Sequence, residues 1–306
     1  MSTTSRVFVA GGSGTIGVPL VRALVQAGHQ VTAQTRSPEK QRALAALGAT
    51  PVVADALDPA ALADAMRDAR PTHVIHQLTA LPKDGVRKTA DLAATNRLRI
   101  DGTRNLLAAA IDAGARRIIV GSFAPMQGIT PDMPADVRAV AAAVASMESQ
   151  VLDANRARQI DAIVLRYGLF YGPGNPATQK MIAMARRRML PALREDRGLL
   201  PLIHLDDAVR ATIAALDRGT PGSIYPIVDD RPVSMSELVR ALADYAGAPR
   251  PLAIPAWVPR LLAPFLAVMF TVRLSLSNET SKNELGWRLL YPTIKEGLAR
   301  TGARAA

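Results

Sequence analysis

The stretch RVFVAGGSGTIGVPLVRALVQAGHQV, residues 6–31, joins a short β-branched run to an apolar helical pattern through a glycine-rich turn. Gly11 permits a tight bend out of the run, and Gly14 lets the phosphates of a ligand approach the backbone. Gly17 lets the helix pack closely on the strand, and the helix N-terminus offers free N–H groups and the positive end of its dipole. A strand, a G-x-x-G-x-x-G turn and a helix in this order predict a dinucleotide-binding fold.

Up to residue 167 the sequence alternates short apolar runs with longer helical patterns. This alternation predicts a parallel sheet with helices on both faces, and the nearly unbroken apolar character of the runs is typical of strands buried on both sides. We therefore predict an α/β fold with a doubly wound parallel sheet, the Rossmann fold. The predicted strands are residues 6–10, 30–35, 50–53, 72–76, 117–121 and 162–167, and the predicted helices are residues 18–27, 38–47, 60–69, 94–113 and 135–157.

The pattern changes after residue 167, and the breaker-rich GPGNP of residues 172–176 predicts a loop. Further along, Ser234 followed by Glu237 forms a capping-box pattern that predicts the start of a late helix. We predict two interleaved units. They are a dinucleotide-binding domain of residues 1–171 and 204–232, and a smaller substrate module of residues 172–203 and 233–306.

The composition narrows the classes of function. The 306 residues include no cysteine, which excludes disulfides, thiol nucleophiles and cysteine-ligated metals. The histidines show no metal-ligand spacing, so we predict no metal site. The net charge of +11 rests mainly on arginine in an alanine-rich chain, and we do not read it as evidence for nucleic acid.

No secretory pattern opens the sequence, and its longest strongly apolar stretch, residues 261–272, is too short to span a bilayer. We therefore expect a cytoplasmic protein without a transmembrane segment. Whether it forms a homodimer stays open. Residues 257–272 fit a pocket for a lipid-like substrate, a membrane contact, a dimer interface or plain core packing.

The segment after the second predicted strand indicates which dinucleotide is bound. An acidic residue there usually holds the ribose 2′-hydroxyl of NAD, whereas an arginine favours the 2′-phosphate of NADP. This chain has Arg36, Ser37 and Lys40, and no acidic residue directly after the strand. The predicted cofactor is therefore NADP(H), with NAD(H) as the alternative.

Several motifs in chain order make the sequence resemble the extended short-chain dehydrogenase/reductase superfamily, in its NAD-dependent epimerase/dehydratase-like branch. The segments that carry the resemblance are residues 10–17, VADALD at 53–58, VIHQLTA at 74–80, DGT at 101–103, LRYGLFYGPG at 165–174 and HLDDA at 204–208. The resemblance implies a Rossmann fold and cofactor contacts from the glycine loop, the adenine-binding segment and the turn near the nicotinamide ribose. Beyond the glycines and the Arg36 segment, the implied contact residues are Ser13, Thr15, Ile16, Asp55, Ala56, Leu78, Thr79, Ala80 and Tyr167.

The catalytic pair of that family, Tyr-x-x-x-Lys, is missing here. In the family the tyrosine is the general acid–base, and the lysine holds the ribose and lowers the tyrosine pKa. Aligning Glu148 with the usual glutamate of the family places Val140 and Val144 at the two positions, and neither can transfer a proton. Tyr291 and Lys295 have the right spacing, but they lie in the C-terminal segment, and we interpret that match as chance.

Two residues are candidates to replace the pair. Ser122 is the hydroxyl nearest to the position after the fifth strand where the family has a catalytic Ser or Thr, although another register puts Phe123 there. Ser122 either faces substrate or bonds nearby backbone. Tyr167 ends the sixth predicted strand, where it either donates a proton or packs against cofactor or core.

The leading prediction of function is an NADP-dependent oxidoreductase of an atypical extended type that acts on a carbonyl or alcohol of a small molecule. Sugar-nucleotide, polyketide, steroid and flavonoid-like substrates stay open, because a fold alone does not identify a substrate. One alternative is a lyase, isomerase or cyclase that retains the dinucleotide without net redox chemistry. The other is an NADP-sensing binding protein without catalysis.

Overall fold

The structure is a computed structural model, and it describes residues 4–82, 85–255, 257–262 and 273–302. Its strands are β1 (Arg6–Ala10), β2 (Gln30–Thr35), β3 (Thr50–Val53), β4 (His73–His76), β5 (Arg117–Phe123), β6 (Asp161–Tyr167), β7 (Leu169–Tyr171), β8 (Ala192–Leu193), β9 (Leu202–His204), β10 (Ile224–Ile227) and β11 (Ala253–Ile254). Its α-helices are α1 (Gly17–Gln26), α2 (Gln41–Ala45), α3 (Pro59–Ala69), α4 (Ala93–Arg97), α5 (Thr103–Asp112), α6 (Ala135–Arg156), α7 (Pro176–Arg186), α8 (Leu205–Arg218), α9 (Met235–Tyr245), α10 (Trp257–Leu262), α11 (Glu279–Leu285) and α12 (Ile294–Gly302). Shorter turns are 3-10 at Pro38–Lys40, Thr89–Leu92 and Ala124–Gly128, and π-helical at Leu98–Gly102.

Seven strands form one sheet in the order β10-β6-β5-β4-β1-β2-β3, and all of its neighbours are parallel. The chain first builds outward from β1 to β3 and then returns to the other side of β1 with β4. Ligands of such sheets bind at the carboxyl ends of the strands, where the strand order reverses. The predicted doubly wound α/β fold is confirmed, and its reversal point lies between β1 and β4.

Helices cover both faces of this sheet. Along β1, Val7 and Val9 pack in a core layer with α1 and α8, and Phe8 and Ala10 pack in a second layer with α3, α5 and α6. Successive strand residues point to opposite faces, so an apolar run fills both layers at once. This explains why the strands of the sheet lack the alternation of a half-exposed sheet.

Two boundaries differ from the prediction in ways that affect the site. Strand β5 extends to Phe123, because Ser122 and Phe123 still pair with the end of β6. The helix predicted for residues 94–113 is divided into α4 and α5 by the π turn Leu98–Gly102. Such a turn inserts one residue into the helical repeat, and sequence periodicity does not reveal it.

Beyond the main sheet, β7 pairs with β9 and β8 pairs with β11 in two short parallel ribbons. The predicted cap of α9 is confirmed, since Ser234 Oγ accepts a hydrogen bond from the backbone N–H of Glu237 at 3.1 Å. The division of the chain into a cofactor domain and a substrate module stays a prediction.

The apolar run noted in the sequence spans residues 257–272. Residues 263–272 of that run lie outside the described residues. Within α10, Trp257 is 64% exposed and Leu261 is 76% exposed. Among the helices of the described ranges, none is both long enough and apolar enough to cross a membrane.

Candidate cofactor and substrate site

The glycine loop, residues 11–17, is a backbone cradle that side chains would fill. Gly11 has a φ of +83°, and a Cβ there would lie 2.6 Å from the carbonyl oxygen of Gln77. A Cβ on Gly17 would lie 2.2 Å from the carbonyl oxygen of Gly11. No side chain caps α1 at Ile16, and the N–H of Val18 already donates to the carbonyl oxygen of Gly14, so α1 offers an anion chiefly the positive end of its dipole. The loop therefore fits the pyrophosphate of a dinucleotide.

Gln34 holds this loop to the sheet and was not predicted. It is 2% exposed at the end of β2, where its Oε1 accepts a hydrogen bond from the N–H of Gly11 at 2.9 Å. Its Nε2 donates to the carbonyl oxygen of Ala54. Because β2 reads Gln-Val-Thr-Ala-Gln-Thr, the sequence does not single out Gln34, and only its burial shows that its amide needs defined partners.

The segment after β2 places hydroxyl groups and cations side by side. Ser13 Oγ lies 2.9 Å from Thr35 Oγ1, and the N–H of Ser37 donates to Thr35 Oγ1 at 3.2 Å. Arg36 and Lys40 are exposed on the same segment. The structure thus brings the residues predicted to hold a 2′-phosphate next to the glycine loop.

The predicted adenine-binding segment follows β3. The carboxylate of Asp55 accepts a hydrogen bond from the N–H of Leu57 at 2.9 Å, and Asp55 stays exposed. Ala56 is buried, and its carbonyl oxygen accepts a hydrogen bond from Asn105 Nδ2 at 3.0 Å. Both residues lie at the same edge of the sheet as the glycine loop, because β1, β2 and β3 are parallel neighbours.

The turn after β4 is held in place by His76 and Thr95. His76 Nδ1 accepts a hydrogen bond from the N–H of Leu78 at 3.2 Å, so Nε2 carries the proton that faces Thr103 Oγ1 at 2.9 Å. Thr95 Oγ1 accepts from the N–H of Ala80 at 3.0 Å. Leu78 and Ala80 are therefore fixed, and the intervening Thr79 is exposed at the carboxyl edge.

We expect His76 to make the protein less stable in acid. Burial lowers its pKa from 6.5 to about 4, so between these values the unfolded chain binds a proton that the folded chain does not. Stability therefore falls as the pH drops through this window, by on the order of 3 kcal/mol for this group. Urea unfolding at several pH values checks it. The variant His76→Gln should show a shallower loss, and equal slopes in the two proteins would contradict the assignment.

The hydroxyl of Tyr167 is buried and bonded to protein partners. The residue is 3% exposed, and its hydroxyl lies 2.7 Å from Thr212 Oγ1 and accepts from Gln77 Nε2 at 3.1 Å. Since Thr212 donates its own proton to the carbonyl oxygen of Ala208, the proton of Tyr167 is committed to Thr212. Burial raises the pKa of Tyr167 to about 12. This geometry favours the packing role over the proton-donor role.

Ser122 belongs to a buried charged triad. Its hydroxyl donates to Glu148 Oε1 at 2.5 Å, and Arg166 donates to both carboxylate oxygens of Glu148, at 3.0 and 2.6 Å. Ser122 and Glu148 are 6% and 5% exposed. The serine proton therefore points at a carboxylate, and the triad ties β5, β6 and α6 together beneath the carboxyl edge.

An apolar cluster lies where the resemblance places the catalytic pair. Val140 and Val144 of α6 are 2% and 1% exposed. They pack with Leu92, Met126 and Leu200, and Phe123 covers them in part. None of these side chains carries a transferable proton. This region of the described structure excludes water and offers no acid.

The fold and the glycine cradle together define an NAD(P)-dependent oxidoreductase or epimerase-like enzyme. The sequence profile of the NAD dependent epimerase/dehydratase family matches residues 7–227, and the chain belongs to this family. The predicted resemblance is confirmed. A nicotinamide dinucleotide is the cofactor that this family and the cradle imply.

Two curated relatives and a solved structure extend the comparison. The chain is 36% identical to a 3-diazoavenalumate denitrifying reductase of a Streptomyces species, over 96% of this chain and 99% of that protein. It is 30% identical to the 2-alkyl-3-oxoalkanoate reductase of Stenotrophomonas maltophilia (strain K279a), over 80% and 77%. The UDP-glucose 4-epimerase of Thermus thermophilus, in complex with NAD, superposes with a TM-score of 0.76 at 22% identity, over 95% and 97%. That last likeness concerns the fold.

Proposed function

We propose that the protein is an NADPH-dependent reductase whose substrate accepts a hydride without a proton from the protein. The apolar cluster around Val140 and Val144 supports this proposal, because the resemblance puts the acid–base pair at these two positions and the cluster holds no acid. The two candidate replacements, Tyr167 and Ser122, both direct their protons at protein partners. When bound, the reduced nicotinamide supplies the hydride and both electrons.

The chemistry of the substrate decides whether a missing acid matters. A ketone that accepts a hydride becomes an alkoxide and needs a proton. An arenediazonium ion that accepts a hydride breaks its C–N bond, forms a C–H bond and releases N2, so the charges balance without a proton. The 36% identical relative is named for a diazo substrate and a denitrifying reduction. We therefore propose a diazo compound as the substrate class.

The residues of this chain hold and orient the reactants. The glycine loop would hold the pyrophosphate, and Arg36, Ser37 and Lys40 would hold the 2′-phosphate of NADPH. The buried valines of the apolar cluster would keep water from the reacting atoms, and the partly exposed Phe123 beside them would contact the apolar part of the substrate. Positioning then supplies the rate enhancement.

We expect Arg36→Ala to weaken NADPH binding by roughly 10- to 100-fold and to leave NADH binding unchanged, because one charge-assisted contact to the 2′-phosphate is lost. Calorimetric titration with both dinucleotides measures the two affinities. Arg116→Ala is the matched control. Arg116 is an exposed arginine just before β5, at the amino ends of the strands and so away from the cofactor edge. Equal losses for NADPH and NADH would contradict a 2′-phosphate pocket at Arg36.

A second candidate is a carbonyl reductase that takes its proton from water, favoured by the 30% identical relative named for a 3-oxoalkanoate. Initial rates of NADPH oxidation with 4-carboxybenzenediazonium and with a 2-alkyl-3-oxo acid distinguish the two. Faster oxidation with the diazonium ion, with benzoate and N2 as products, is the expected result. Reduction of the oxo acid alone would favour the second candidate. Turnover of a substrate without NADPH oxidation would favour a non-redox enzyme.

A further inference from the structure

Arg99 is a buried cation that the site described above does not use. It lies in the π turn Leu98–Gly102 and is 8% exposed. Its NH1 donates to Asn96 Oδ1 at 3.0 Å, and no carboxylate within the described ranges pairs with it. Burial lowers its pKa to about 10, which leaves it charged at neutral pH.

A charge in this position is unusual on physical grounds. A guanidinium has five N–H donors, and removing it from water costs several kcal/mol unless an anion and hydrogen bonds compensate. Arginine is almost never buried without such a partner. The π turn is a second indication that Arg99 belongs to a functional site, because such turns occur often at functional sites. Among the described residues, Asn96 thus gives the buried Arg99 guanidinium a hydrogen bond, and no anion compensates its charge.

The surroundings of Arg99 place it at the carboxyl edge. Besides burial, the positive charge of Arg99 helps to lower the pKa of His76, the last residue of β4. Thr95, one helical turn before Arg99, binds the N–H of Ala80 in the segment that follows β4. Some side-chain atoms of the described structure, such as Nε2 of His204, are fully buried without a hydrogen-bond partner. The guanidinium nitrogens of Arg99 are not among them, so those without a protein partner still reach solvent.

We propose that Arg99 binds a carboxylate or phosphate group of a ligand at the carboxyl edge beside β4. The resemblance places the cation of the family's catalytic pair at Val144, so Arg99 supplies a positive charge to an edge that lacks that lysine. Two sources have this chemistry, the carboxylate of a substrate and a phosphate of the dinucleotide. The choice of these two ligands, the substrate and NADPH, rests on the proposed function. Binding of an anion to Arg99 is measured without turnover and does not depend on it.

The experiment compares Arg99→Met with the unaltered protein. Met fills a similar volume without charge, and replacing a buried charge by an apolar side chain is often neutral for stability. Arg104→Met is the matched control, because Arg104 is exposed nearby and already paired with Asp101 at 3.0 Å. Arg99→Gln repeats the comparison should the Met variant fail to fold. The measurements are NADPH affinity, the rise in unfolding temperature with benzoate or pyrophosphate, and KM and kcat for 4-carboxybenzenediazonium.

Each source predicts its own pattern. A dinucleotide phosphate predicts about 10-fold weaker NADPH binding in Arg99→Met and loss of the stabilisation by pyrophosphate. A substrate carboxylate predicts unchanged NADPH binding, loss of the stabilisation by benzoate, and a KM raised about 10-fold with kcat kept. Unchanged binding of all probes, with or without a lower unfolding temperature, overturns the proposal. Stabilisation of the unaltered protein by benzoate, together with no NADPH binding, would overturn the proposed function and leave the anion site standing.

Discussion

The variant Gly17→Ala should lose nicotinamide dinucleotide binding by roughly 100-fold or more. The added Cβ would lie 2.2 Å from the carbonyl oxygen of Gly11 and 2.8 Å from the carbonyl carbon and oxygen of Gly12. Because the colliding atoms are backbone, the loop itself must move, and overpacking of this kind costs about 3 kcal/mol, which corresponds to the expected loss of affinity. Calorimetric titration with NADPH measures it.

The control for this variant is Gly174→Ala. A Cβ at Gly174 would meet only Leu205 Cδ2, at 3.7 Å, which is ordinary van der Waals contact. We expect this second variant to bind NADPH as the unaltered protein does. Full affinity in Gly17→Ala would mean that the cradle is not where the dinucleotide binds.

The variant Glu148→Ala should destabilise the fold by about 3 kcal/mol or more. Glu148 accepts hydrogen bonds from Arg166 and Ser122, and its side chain is 7% exposed. Removing the carboxylate leaves the Arg166 guanidinium largely buried without its anion. Deleting one partner of a buried ion pair costs more free energy of unfolding than the intact pair contributes. Urea unfolding followed by circular dichroism measures the free energy of unfolding.

An exposed ion pair provides the comparison for Glu148→Ala. Asp64 and Arg67 pair at 2.7 Å with side chains 69% and 72% exposed. Because water solvates both charges, Asp64→Ala should cost less than about 1 kcal/mol. If the two variants lost the same stability, the triad would not hold β5, β6 and α6 together as described.

The parts of this structure that follow from local chemistry could be read from the sequence. The loop after β1 has a steric requirement that glycine alone meets at Gly11 and Gly17, so the cofactor cradle was visible in one short stretch. The strands of the sheet were visible because burial on both faces demands unbroken apolar runs. The order of the strands was not predicted, because right-handed crossovers fix the hand of each connection and leave the order open.

Contacts between distant residues could not be read in this way. The pairing of β5 with β6 and the packing of α6 bring together Ser122, Glu148 and Arg166. The spacing of these residues in the sequence does not predict that contact. The face of the sheet to which Tyr167 points could have been predicted from the sequence. Strand residues alternate between faces, so Tyr167 points away from the face of Arg166. The π turn that buries Arg99 leaves no periodic signal.

The central claim is that this enzyme transfers a hydride from NADPH without a proton donor of its own. Turnover of 4-carboxybenzenediazonium with NADPH deuterated at C4 of the nicotinamide tests it directly, with Gly17→Ala as the control for reaction off the enzyme. We predict benzoate that carries one deuterium with one of the two C4-monodeuterated forms of NADPH and none with the other, no deuterium from D2O buffer, and one N2 released for each NADPH oxidised. Benzoate that takes its new hydrogen from the solvent, or the absence of NADPH oxidation, would contradict the account.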